Sequence, residues 1–390
     1  MAVLALAGLG GGLARVVTSL YAVAIRCTQA ELGLVAAARS LALVVVSLPS
    51  GALVRRWGPG RPFVLGSVLG GVATAAVPLL PRPWFFVACV AALGACMALR
   101  IVPMNVATMR RIDAEGDARA GWYRAITLLG MFVVGPSLAA ASVAALGFPA
   151  AWWGVAAVFL LPACVARGAL GVARPSSDPA RRLGFRLAAA DPEAQQLAAT
   201  ELAAQGTSSF FSFFVIPLAI RRLGLDATAA AGLVSAHAAA FILALLTMGG
   251  VAARWGRGRV ARAAHGSAAV GLLLLGLARG GGSLYAGSVL LGAGLGLVQM
   301  TNLVRATRVG ARVGRGAASG LQTFSGSAGG LLAGALGGVL DAQAVFLSVA
   351  PLFAWLASRE RAAAVSSPLR EDPAARGSAP SRSPASSCGP

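Results

Sequence analysis

Few side chains in this sequence can do chemistry, and the informative ones lie inside apolar stretches. Histidine occurs only at His237 and His265, lysine is absent, and all 33 basic residues are arginine. No H-E-x-x-H helix or histidine-rich metal site can be built, and a phosphate-cradling loop would need a lysine. No metal, cofactor or ATP-driven chemistry is therefore expected. Gly292-x-Gly294-x-Gly296 lies within an apolar segment, without the strand and turn of a dinucleotide site, and reads as helix packing. The five cysteines form no C-x-x-C pair, so neither a disulfide framework nor a zinc site is expected. No serine has a histidine and an acid placed with it at one depth, and the chain is not expected to be an enzyme.

Two kinds of chemistry remain. Proton transfer inside an apolar protein needs a group that titrates, and arginine, with a pKa above ~12, cannot serve. Glu201, His237 and Glu31 are the candidates. Glu201 is otherwise an interfacial carboxylate in water, and His237 a neutral imidazole bonded to a neighbouring helix. Anion binding is the second kind. A charged side chain at mid-bilayer costs ~2.5 kcal/mol or more and marks a functional site by default. Arg15 and Arg39 lie ~16 and ~12 Å into their spans, and Arg100 lies ~24 Å into its own. A guanidinium fork can hold a carboxylate by two charge-assisted hydrogen bonds. The expected solute site joins these arginines to His237 and the amides of Gln205, Gln299 and Asn302. The alternative is that the arginines cap backbone carbonyls or pair with Glu31.

These residues must be positioned by membrane helices. Apolar residues make up 57% of the chain and charged ones 12%, with a mean hydropathy of +0.76, against about 25% charged in soluble domains. Apolar runs recur near the ~20 residues that cross a ~30 Å hydrocarbon core. Twelve spans are predicted, at 2–24, 31–54, 62–80, 84–104, 121–146 and 149–168, then 198–219, 228–252, 263–279, 283–304, 318–339 and 341–358. The first run lacks the flanks of a cleaved signal peptide and is read as a retained span. The fold expected is an all-α polytopic membrane protein of two pseudo-symmetric six-helix bundles, 1–168 and 198–358. A cytoplasmic linker at 169–197 joins them, and a Ser/Pro-rich tail at 359–390 is expected to be disordered.

Arginine-rich loops stay cytoplasmic. Nineteen arginines fall in the loops after even-numbered spans and in the linker, against five (Arg26, Arg82, Arg221, Arg222 and Arg279) on the other side. Both termini are thus expected in the cytoplasm, with the protein in the cytoplasmic membrane. Topology accounts for the +20 net charge, and nucleic-acid binding is not expected. The partners expected are a small solute, protons and the bilayer, with the chain a monomer.

An internal repeat supports the division into halves. GALVRRWGPGR (Gly51 to Arg61) and GGVAARWGRGR (Gly249 to Arg259) match at six of eleven positions. Gly121, Gly130 and Gly135 keep the spacing of Gly320, Gly329 and Gly334. The offsets, 198 and 199, agree. Parallel repeats related by an axis along the membrane normal characterise major facilitator transporters, and the chain resembles that family over nearly all of residues 1–358.

The family's loop between its second and third spans reads Gly-x-Leu-Ala-Asp-Arg-x-Gly-Arg-Arg. Gly51, Leu53, Arg56 and Gly58 match it, whereas Arg55 replaces the aspartate that helps latch the halves. Gating roles for Gly51, Arg56, Gly58, Gly249, Arg254 and Gly256 follow from that resemblance and from the repeat. ARAGWYRAITLLGMFVVGP (Ala118 to Pro136) is similar to the glycine motif of the family's drug-proton antiporters, with one extra residue. It implies proton-coupled efflux, with Gly130, Gly135, Pro136, Gly329 and Gly334 as hinge or packing positions. The rival readings are an importer of an anionic metabolite and a transporter-like sensor or assembly protein that no longer transports.

The arginine asymmetry is checked by reporter fusions at residue 359 and within 169–197, which should both score cytoplasmic. Opposite sides would mean a span count wrong by an odd number.

Overall fold

The computed structural model describes residues 2–27, 29–116, 120–169, 190–337 and 340–365, and no strand occurs among them. The first half contains α1 (Ala2–Ala24), α2 (Gln29–Trp57), α3 (Gly60–Ala76), α4 (Pro83–Glu115), α5 (Ala120–Leu129) and α6 (Gly135–Ala169). The second contains α7 (Pro192–Arg221), α8 (Ala227–Trp255), α9 (Arg257–Gly276), α10 (Gly281–Val313), α11 (Arg315–Gly337) and α12 (Ala342–Val365). Among the described residues seven helices are long and apolar enough to cross a membrane alone, or eight if the bent α7 counts as one span. In helices such as α9 and α11, arginine or glycine and serine dilute the hydropathy.

Local chemistry explains several boundaries. Asp191 caps α7, its Oδ1 accepting from the amides of Glu193 at 2.8 Å and Ala194 at 3.3 Å. Asp226 caps α8 by accepting from the amide of Ala229 at 2.8 Å. Gly147, at φ 76 and ψ 173, breaks α6 into two arms. Both arms pack on α1, through Gly135 against Gly12 and Phe159 against Gly10. The first arm continues α5 through a π-helical stretch, Gly130–Val134. α7 bends by 48° between Ser212 and Phe214, where Pro217 has no N–H for the carbonyl four residues earlier.

Three predicted ends fall short. α4 and α10 run on to Glu115 and Val313, because helices continue past the hydrocarbon core that a hydropathy window detects. Arg305, predicted to lie in a loop, is therefore helical and buried. α12 continues to Val365 and buries Glu360, which the sequence reading placed in the tail. The rest of that tail and most of the linker lie outside the described residues.

The repeat extends into backbone geometry. Gly58 (φ 76) and Gly256 (φ 82) both turn through the left-handed region that glycine adopts readily. Gly116 (φ 90) pairs in the same way with Gly314 (φ 96), and Arg26 (φ 56) with Gly224 (φ 64). All three pairs are 198 residues apart. A Cβ on Gly94 would lie 2.4 Å from the Arg39 carbonyl oxygen, and one on Gly292 would lie 2.3 Å from that of His237. Arg39 and His237 thus hold equivalent places, set by the same α2–α4 and α8–α10 contact.

The halves meet through α2, α4 and α5 of the first and α8, α10 and α11 of the second. α2 and α4 of the first half pack on α11, α4 also on α10, and α5 on α8. These contacts include the end that carries the turns at Gly58, Gly116, Gly256 and Gly314. There the Ser319 hydroxyl donates to the Val102 carbonyl at 2.9 Å, and Gly316 lies against the Gly51 carbonyl. Arg315 pairs with Asp113 across the divide. α1 and α7 form no packing interface among the described residues, and the halves are joined at this arginine-rich end.

Gly292→Ala should overpack the α8–α10 seam and destabilise by ~1–3 kcal/mol. Gly334→Ala, where a Cβ meets nothing within 4 Å, should be neutral or stabilising by up to ~1 kcal/mol. Thermal unfolding of the two purified variants separates these outcomes.

Candidate functional site: a buried carboxylate beside the interdomain cavity

Glu201 is only 3% exposed, so the water-exposed interfacial position considered from sequence is corrected. Helical spacing puts Gln205 one turn along on the same face of α7, and α10 and α11 bring three further amides. Oε1 accepts from Gln205 Nε2 at 3.1 Å and Gln299 Nε2 at 3.4 Å. Oε2 accepts from Asn302 Nδ2 at 2.8 Å and Gln322 Nε2 at 3.1 Å. Among the described residues no arginine or histidine forms an ion pair with it. A carboxylate can only accept, so all four amides turn nitrogen-inward. The Asn302 and Gln322 carbonyl oxygens are left buried without partners.

A cavity of about 620 Å³, including its open mouth, adjoins this cluster. Leu128 of α5 contributes from the first half, and Gln205, Ser208, His237, Phe241 and Gln299 are among the residues of the second. Glu201 sits behind Gln205 and Gln299. His237 Nδ1 donates to the Ser288 carbonyl at 3.3 Å, and its ring stacks on Phe211 with centroids 4.3 Å apart. Thus His237, Gln205 and Gln299 share a wall, with Asn302 and Glu201 directly behind it.

The arginines are elsewhere. Arg15 is accessible to solvent yet surrounded by protein and lies within electrostatic reach of Arg39; neither lines this cavity. Arg100 is buried in the first half, its guanidinium 4.0 Å from the Phe159 ring centroid and 5.6 Å from that of Phe63. Its three side-chain nitrogens have no hydrogen-bond partner among the described residues. Depth along a helix is legible in sequence, but here the helical face turns Arg100 into its own bundle. Glu31 sits half-buried at the start of α2, away from the cluster.

At the joined end Arg56 and Arg254 are exposed, and it is the Arg55 side chain that reaches α11, beside Gly316. Gly130 lies against Ala5 and Leu9 of α1, and Gly329 against Leu202 of α7, whereas a Cβ on Gly334 would touch nothing. Gly249 and Pro136 are helical, and their surroundings lie outside the described residues.

Three groups went unnoticed in sequence. Arg305 and Glu360 form a buried ion pair, and Gln196 Nε2 also donates to Glu360 at 2.8 Å. Arg315 and Asp113 join the halves. Arg312 binds both Asp191 (2.9 Å) and Glu193 (2.7 Å). Only residue type was visible at these positions, since the partners lie far apart in the chain.

A duplicated bundle of membrane helices, joined at an arginine-rich end and holding a buried carboxylate beside a central cavity, has the build of a secondary transporter. Residues 1–199 match the Major Facilitator Superfamily, and the chain belongs to that superfamily. The transporter FucP in its outward conformation superposes with a TM-score of 0.74 at 16% identity, covering 92% of this chain and 96% of that one. A variant of the E. coli Fucose:proton symporter FucP gives 0.73 at 14% identity, over 92% and 97%. The human organic anion transporter MFSD10 (TETRAN) gives 0.73 at 15%, over 92% and 98%. At these identities the likeness is one of fold. No curated protein matches the sequence significantly.

Burial alone would raise the Asp191 carboxyl, but hydrogen bonds from Arg312 and from the Glu193 and Ala194 amides outweigh it and hold the group below its usual range. A depressed folded value contributes stability above the unfolded pKa of about 3.9 and loses it as pH falls through the folded value. Asp191→Asn keeps the cap and removes the charge, so it should cost up to ~1 kcal/mol at pH 7. Unfolding measured against pH should show that difference vanishing in acid.

Proposed function

We propose that this superfamily member is a proton-coupled secondary transporter that exports a small organic solute across the cytoplasmic membrane by alternating access, with Glu201 carrying the proton. The observation that carries this reading is a buried carboxylate held by four neutral donors, without a counter-cation among the described residues, behind the cavity wall. A proton on either oxygen turns an acceptor into a donor, and at least one amide must then turn away. Those amides belong to α7, α10 and α11, so titration is transmitted to the helices that pack the second half. Gln205 and Gln299 carry the same change to the wall that meets the solute.

The arginine asymmetry supports cytoplasmic placement of the joined end and of both termini, with the cavity opening to the outside, where protons enter. The likeness of Ala118–Pro136 to drug-proton antiporters supports export. One observation favours a second reading, import of an anionic solute: Arg15 and Arg39 lie within electrostatic reach of each other in the first half.

The test uses a solute identified by thermal-shift screening, since a ligand of the folded state raises its apparent stability. In right-side-out and inverted vesicles, Glu201→Gln should abolish movement driven by a pH gradient while downhill exchange and folding persist. Wild-type gradient-driven movement in Glu201→Gln would refute the assignment. Loss of anion uptake in Arg39→Ala, with Glu201→Gln unaffected, would establish the second reading.

A further inference from the structure

The hydrogen bonds around the cavity fix which way its polar groups face. Gln205 turns its amino group to Glu201 at 3.1 Å, and the carboxylate repels the amide oxygen, so the Gln205 carbonyl points away from Glu201. A carbonyl can only accept, so the His237 contact with Ser288 at 3.3 Å puts a hydrogen on Nδ1. The neutral ring then has a lone pair at Nε2. Ser212 donates its hydroxyl hydrogen to the Ser208 carbonyl at 2.8 Å and keeps only lone pairs. Ser208 and Gln299 also line the wall, and the remainder is apolar, including Val234, Phe241, Ile242 and Leu295. Among the described residues no arginine lines it.

We infer that this wall recognises a protonated primary or secondary amine attached to an apolar body, through the acceptors of Gln205, His237 and Ser212. The inference rests on the reading of the cavity as the solute site. Behind these acceptors the Glu201 charge acts through a low-dielectric interior, where it is weakly screened. An anion meets these three acceptors and a negative field. A quaternary ammonium satisfies the field but offers no N–H to the acceptors. A primary ammonium supplies both, and the Phe241 ring on the same wall offers a face for the cation. Selectivity among cations of equal charge is therefore read by N–H donors, which neither charge nor hydrophobicity alone would produce.

The experiment is calorimetric titration of the full chain in nanodiscs with four probes of one shape: phenethylammonium, its N,N,N-trimethyl analogue, 2-phenylethanol and 3-phenylpropionate. Phenethylammonium should bind about tenfold or more tightly than each of the others, the factor for a hydrogen bond lost at a charged group. Gln205→Leu and His237→Phe, with unfolding temperatures measured alongside, should each weaken it by about tenfold and narrow its lead over the trimethyl analogue. If either variant unfolds early, Ser212→Ala takes its place. Equal binding of the trimethyl analogue, tightest binding of 3-phenylpropionate, or no binding of phenethylammonium overturns the inference. Gradient-driven movement that still depends on Glu201 would then leave the transport reading intact. Amine selectivity with coupling retained in Glu201→Gln would overturn the transport reading and leave this one.

Discussion

Helix backbones in direct contact carry the architecture. Between membrane helices no hydrophobic force operates, because lipid tails are as apolar as the helices, and association relies on close packing of small residues. The Arg39 and His237 carbonyls rest on the bare Cα atoms of Gly94 and Gly292. A methyl group at either glycine would push those helices apart. This contact sets the height of His237 against Ser288 and hence the position of the cavity wall. α7 and α11 approach through Leu202, Gly206 and Gly329, and that approach brings Gln322 within reach of Glu201.

On this common frame the two halves have diverged in charge. Glu201, Gln205, Gln299 and Asn302 stand 198 residues after Val3, Ala7, Ile101 and Met104. At these four positions the second half holds a carboxylate and amides where the first is apolar, whereas Gln322 stands 198 residues after Arg124. The first half carries Arg39 where the second has His237, and it buries Arg100 against Phe63 and Phe159. Four amide donors compensate Glu201 locally, which is how an ionisable group persists in such an interior. The arrangement ties the group's hydrogen bonds to three helices, α7, α10 and α11.

Much of the fold was legible because periodicity and hydropathy are local. The spans, the six-plus-six division and the paired RWGPGR and RWGRGR turns follow from short stretches of chain, and Gly58 and Gly256 show the left-handed turns that such stretches need. The site was legible only as a set of residue types. Gln205, Gln299 and Asn302 were picked out as polar groups in spans, yet their convergence on Glu201 depends on how α7, α10 and α11 rotate, which sequence spacing does not encode. Arg100 shows the same limit in reverse, since its depth suggested a solute contact and its helical face turned it inward. Glu360 was hidden because a hydropathy window ends where the bilayer ends, and α12 does not.

Apart from the packing that joins the halves, the helix contacts remain within their own half: α1 with α5 and α6, α2 with α4 and α3 with both α4 and α6, then α7 with α11, α8 with α10 and α9 with α10 and α12. The chain therefore need not thread one half through the other during synthesis. Domains generally fold as units, the N-terminal one first, so the leading bundle can bury Arg100 and close its glycine seams while the trailing one is still on the ribosome. What the second bundle must then find is a docking face formed by α2, α4 and α5, already assembled when α8, α10 and α11 arrive.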